Sequence, residues 1–135
     1  MPKSCIVDSG ALVALLDPRE EHHRWARETF SRQPRPWLTC DAVLSEAFYL
    51  LQKPHALALA RLLRQGHLRL SLNLTEELVQ VLDLREKYAD VPMSLADACL
   101  VRMSETLPDP VVITADGDFK IYRRHSRQVV PCLLP

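Results

Sequence analysis

Strand-like and helix-like segments alternate along almost the whole of this chain, and no other feature restricts its fold so tightly. Ser4 to Val7 reads as a short strand. Ala11 to Leu16 reads as a helix ended by Asp17-Pro18, because proline pushes the residue before it out of helical conformation. Glu21 to Arg32 is helical, and the proline-rich connection Gln33-Pro34-Arg35-Pro36 leads into a second strand, Trp37 to Thr39. Asp41 is placed to cap a helix reaching about Gln52. Pro54 opens the next helix, with Leu57, Leu59, Leu62 and Leu63 on one broad face read as core, and Gly66 as its stop. His67 to Leu72 alternates as a third strand does, and Thr75 caps a helix through about Lys87. After the break at Val91-Pro92, Ser94 caps a helix through about Thr106. Pro110 to Thr114 is a strand of the fully buried type, Phe119 to His125 a short helix, and Gln128 to Val130 a final edge strand. Strands separated by helices form a parallel sheet covered on both faces. The expected fold is therefore three-layer α/β/α, with a mostly parallel sheet of four to five strands.

Size and composition agree with one such domain. At 135 residues and 47% hydrophobic content the chain can bury a core without covalent staples. Its folded surface should be about 7,200 Å². With only 3 glycines a Gly-rich nucleotide loop is disfavoured, as is a turn-rich sandwich. Basic and acidic residues balance at 17 each, which excludes a uniformly basic coat for nucleic acid but not a local basic patch. The cysteines Cys5, Cys40, Cys99 and Cys132 lie in apolar stretches with no Cys-x-x-Cys pair, so they read as reduced core thiols of a cytoplasmic protein rather than a zinc ribbon. No secretory leader and no membrane-length apolar run is visible.

Acidic residues follow the strands. In open parallel sheets the functional crevice lies beyond the carboxyl ends of the strands. Asp8 comes directly after Cys5-Ile6-Val7, and Asp116 and Asp118 follow Val111-Val112-Ile113-Thr114. Glu46 sits at the border of the apolar face of its helix, near Val43, Ala47 and Leu50. Asp97 lies three residues after the capping Ser94. Taken singly, each has an ordinary explanation as a cap, a turn former or a surface acid. Taken together they converge. Carboxylates gathered without basic partners raise one another's pKa, and a hard divalent cation such as Mg²⁺ or Mn²⁺ removes that penalty.

Here the chain resembles a known family. Ile6-Val7-Asp8-Ser9, Glu46 within a helix, Leu95-Ala96-Asp97-Ala98 and Thr114-Ala115-Asp116-Gly117-Asp118-Phe119 look like the PIN-domain pattern in order and spacing. The stretch His22-His23-Arg24-Trp25-Ala26 also resembles the second helix of VapC toxins, the ribonuclease half of type II toxin–antitoxin pairs. The resemblance runs over roughly residues 4 to 130. It implies a Mg²⁺- or Mn²⁺-dependent endoribonuclease, a homodimer and a cognate antitoxin as partner. Asp8, Glu46, Asp97 and Asp116 match the acidic quartet, Asp118 a frequent fifth acid, and Ser9 and Thr114 the hydroxyl residues that support the site.

Phosphodiester hydrolysis requires an activated water, in-line geometry and neutralisation of phosphate charge, all of which metal ions supply. On that logic Asp8 and Asp97 are direct metal ligands, joined by Asp116. Asp116 and Asp118 serve a second ion or the waters of the first, and Glu46 either binds the metal through a water or orients the attacking water. Lys120, Arg123, Arg124 and Arg127 would fall on one side of a short helix beside the acidic loop, a face open to three readings: a grip on RNA phosphates, an antitoxin-binding surface or a solvated face. Two other readings compete. One is a non-catalytic PIN-like interaction module. The other is a phosphate-handling enzyme or receiver domain with a nucleophilic Asp: the enzyme is disfavoured because Asp8 is followed by Ser9-Gly10 and not by the rest of an Asp-x-Asp, the receiver because no phosphoacceptor Asp on a central strand pairs with a Lys after a late one.

Overall fold

A computed structural model describes residues 2–135. Its central sheet has strand order β3-β2-β1-β4-β7, all parallel. The strands are β1 (Ser4–Val7), β2 (Trp37–Thr39), β3 (Leu68–Leu70), β4 (Pro110–Ile113) and β7 (Cys132–Leu133). Between them run α1 (Ser9–Leu16), α2 (His23–Ser31), α3 (Asp41–Leu50), α4 (Lys53–Arg64), α5 (Leu74–Lys87) and α6 (Leu95–Thr106). The expected three-layer α/β/α architecture with a parallel sheet is the one observed. The accessible surface, 7550 Å², is close to the size expected of a compact chain of this length.

Every residue of β1 and β4 is buried. Side chains alternate between the faces of a strand, so complete burial requires helices on both sides. Ile6 lies opposite Leu38 on one flank and Val112 on the other. These two central strands, with Leu12 of α1, Val43 of α3 and Leu100 and Met103 of α6, form the core. Each such side chain contributes roughly 1.5–3 kcal/mol by leaving water. On the far side, Phe30 of α2 meets the Trp37 ring edge-on at 4.7 Å between centroids. All four cysteines are free thiols.

Element ends moved where a cap differed from the expected one. Asn73, not Thr75, accepts the cap hydrogen bond of α5, from the Glu76 amide at 3.4 Å. Cys40 holds the capping position of α3, and Asp41 is its first helical residue. Ser94 caps α6 as expected. Gly66 ends the α4 segment with φ of +74°, a conformation that glycine adopts without steric cost. Not all of the leucine face of α4 is core, since Leu59 is fully buried but Leu57 is 55% exposed.

The C-terminal segment departs most from expectation. The helix expected over Phe119 to His125 is a single 3-10 turn, Gly117–Lys120, followed by a hairpin of β5 (Arg123–Arg124) and β6 (Gln128–Val129). His125 and Ser126 take positive φ, closing the hairpin where a helix would have continued. Gln128 and Val129 therefore pair with the hairpin rather than edging the main sheet, and Cys132–Leu133 takes the edge beside β4.

Candidate active site

β1 and β4 are neighbours and run parallel, so the residues leaving their carboxyl ends emerge side by side. The Asp8 amide continues the ladder by donating to the Ile113 carbonyl at 3.0 Å. Its side chain then caps α1, accepting from the Ser9 amide at 2.7 Å through Oδ1. Its other oxygen, Oδ2, accepts from the Thr114 hydroxyl at 2.7 Å. Thr114 Oγ1 in turn accepts the Asp116 amide at 3.0 Å, and Asp116 Oδ1 accepts the Asp118 amide at 2.9 Å. One chain of hydrogen bonds thus orders the whole acidic loop from the end of β4.

The helices bring the other two acids. Val43 and Ala47 bury the inner face of α3, which places Glu46 at its edge. The Ser9 hydroxyl donates to Glu46 Oε1 at 2.8 Å and lies 3.4 Å from Asp8 Oδ1. Asp97 occupies the first turn of α6, whose capping Ser94 accepts the Asp97 amide at 3.0 Å. Asp97 Oδ2 accepts from the hydroxyl of Tyr122 at 3.0 Å. Asp8, Ser9, Gly10, Glu46, Ser94, Asp97, Ala115 and Asp116 line one pocket of about 370 Å³. Asp118 is half-buried in the adjoining turn and does not line it.

None of the lining residues is basic. Asp8 is 6% exposed and its carboxyl is pushed up to about 6, chiefly by burial, with the charges of Asp97 and Glu46 adding and the Thr114 and Ser9 donors opposing. Burial also raises Asp97, and the charge of Asp116 raises it further, against donors from Tyr122 and Ser94. The amino ends of α1 and α6 both abut the pocket and offset part of this repulsion.

A family model described as PIN domain matches residues 5–124. This chain belongs to the PIN domain family. A solved structure of VapC20 from Mycobacterium tuberculosis, a toxin that cleaves the sarcin-ricin loop, has the same fold. It is 21% identical, with a TM-score of 0.79, and the match covers 87% of this chain and 94% of that one. No curated protein matches the sequence.

In this PIN domain the donor set suits a hard cation: carboxylates with Asp8 and Asp97 buried, Asp116 half-buried and Glu46 exposed, and no basic side chain among the lining residues. Among the described residues no three acid, histidine or cysteine side chains stand close enough together to hold a metal ion as they are. Asp8, Asp97 and Asp116 are the acids that line the pocket from the two strand ends and from α6.

The four basic residues do not share a face as the helical reading required. Arg123 folds back along its own backbone, and its Nη1 donates to the carbonyls of Lys120, Ile121 and Tyr122 at 2.7, 3.1 and 3.0 Å. Arg124 is half-buried in the hairpin, with Nε unpartnered among the described residues. Lys120 and Arg127 remain exposed. Tyr122 was not singled out by the sequence. Three residues after Phe119, it reads as one more apolar residue packing the core, and nothing local marks its hydroxyl as aimed at Asp97.

Proposed function

We propose that this PIN domain is a Mg²⁺- or Mn²⁺-dependent endoribonuclease, the toxin of a VapBC-type toxin–antitoxin pair. The observation that carries this reading is the convergence of Asp8, Glu46, Asp97 and Asp116 on one pocket without a basic neighbour. Such a pocket repels a phosphate unless its charge is reversed. A bound divalent cation supplies that reversal and an acidified water. The protein supplies the rest. Asp8, Asp97 and Asp116 hold the cation, and Thr114 and Ser9 fix the Asp8 carboxylate between two donors. Ser9 also fixes Glu46 by one oxygen, leaving the other to orient the attacking water. Asp118 positions the turn beside Asp116 and serves waters at its rim.

The proposed substrate is RNA, with Lys120 and Arg127 as the phosphate contacts left to solvent. The proposed partners are a cognate antitoxin and a second copy of the chain. Exposed Tyr49, Leu50 and Leu57 on the consecutive helices α3 and α4 offer apolar surface for association. No helix among the described residues is long and apolar enough to cross a membrane. A reducing cytoplasm, where RNA is at hand and the four thiols stay free, is the proposed site of action.

The test is cleavage of purified RNA, including a sarcin-ricin loop oligonucleotide, with Mg²⁺ or Mn²⁺ and with chelator. Cleavage that requires the metal and leaves 5′-phosphate and 3′-hydroxyl ends is expected. Equal cleavage in excess chelator overturns the metal mechanism.

A further inference from the structure

Tyr122 is fully buried, yet its hydroxyl lies 3.0 Å from Asp97 Oδ2. A buried tyrosine hydroxyl needs an acceptor, and a neighbouring carbonyl would satisfy it as well as a carboxylate. The ring has no freedom to choose another. Phe119 and Tyr88 each meet it edge-on at 5.2 Å between centroids. The Tyr122 amide donates to the Asp118 carbonyl at 3.2 Å, and the next amide, of Arg123, donates to the Tyr88 hydroxyl at 2.9 Å. The acidic loop after β4 therefore folds into a turn whose last side chain returns beneath the pocket and grips the acid of α6.

The position of Asp97 makes that grip matter. Three residues after the cap of a helix, an acidic side chain ordinarily folds back toward its own helix end. We propose that Tyr122 is a positioning residue for the metal site: its hydroxyl holds Oδ2 of Asp97 so that the remaining oxygen faces the pocket lined by Asp8, Glu46 and Asp116. This rests on the proposed metal-dependent function. It makes the turn at Gly117–Lys120 an arm that sets two acids at once, Asp116 through its backbone and Asp97 through Tyr122.

Removing an outer hydrogen-bond partner of a metal ligand typically costs about 10- to 100-fold in metal affinity. Mn²⁺ binding to the full chain, measured by titration calorimetry, should therefore weaken by about that factor in Tyr122→Phe. RNA cleavage by the variant should need correspondingly more Mn²⁺ and regain its rate when the ion saturates. In an Asp97→Asn background, Tyr122→Phe should cost nothing further, because the oxygen it holds no longer ligates. Phe119→Leu loosens the same aromatic cluster without touching the hydroxyl, and should leave Mn²⁺ affinity within about twofold of wild type. Equal losses in Phe119→Leu and Tyr122→Phe, or an unchanged affinity in a folded Tyr122→Phe chain, overturn the inference alone. A wild-type chain that binds neither Mn²⁺ nor Mg²⁺ overturns the proposed function, and this inference with it.

Discussion

The hydroxyl of Thr114 donates to Asp8 Oδ2 at 2.7 Å, joining residues 106 positions apart in the chain. Thr114 Oγ1 also accepts from the Asp116 amide, so one side chain ties the ends of the two central strands into a single acidic platform. Thr114→Val keeps the shape and removes both bonds. It should destabilise the fold by about 1–3 kcal/mol, since the Asp116 amide loses its acceptor and a buried carboxylate loses a donor. Denaturant melts in chelator read the cost, and a loss below a few tenths of a kcal/mol would show that water replaces the hydroxyl freely.

Asp8 gives the metal-free protein an unusual pH response. Its folded carboxyl titrates near 6, above the ordinary 3.8 of an unfolded chain. Between those values the native state keeps a proton that the unfolded state has lost, so raising the pH favours unfolding. Stability without metal should fall from about pH 4 to pH 6 and level off above, by about 3 kcal/mol at most. Asp8→Asn should reduce that slope, leaving the part that the raised Asp97 contributes, and raise stability at pH 7. Melts across pH in chelator decide it; a stability that rises over this window in wild type, or a slope undiminished in the variant, contradicts the burial argument.

Asp97→Asn separates a metal ligand from a helix-start residue. At 9% exposure beside Asp116, the charge of Asp97 costs stability when no cation is present. The variant should lose RNA cleavage, keep its fold and gain about 1 kcal/mol in chelator. A folded and fully active variant would place Asp97 in the helix cap alone.

The basic residues should divide by what they touch. Arg123→Ala removes the cation that draws three carbonyls together and should cost about 1 kcal/mol of stability. Lys120→Ala and Arg127→Ala should spare stability and weaken RNA binding, each lowering the salt dependence by about one phosphate contact. Binding by the Asp97→Asn chain over a series of salt concentrations measures this. An unchanged slope in both variants would remove them from the RNA surface.

What the sequence determined by itself was the order of strands and helices as far as β4, and the presence of acids after β1 and β4. Those features rest on short-range physics: apolar periodicity, proline breaks, and caps such as Ser94 that act within one turn. The parallel sheet followed, because strands separated by helices have few other ways to pair. Tertiary structure decided how the acids are held. Whether Ser9 meets Glu46, or Tyr122 meets Asp97, depends on strand register and on how α3, α6 and the last turn pack. It also decided the fate of Arg123 and Arg124. Their spacing suits a helix, but His125 and Ser126 turn the chain back and pair them with Gln128 and Val129. Local spacing carries no record of such partners, because each contact exists only once distant segments have been brought together by burial of the shared core.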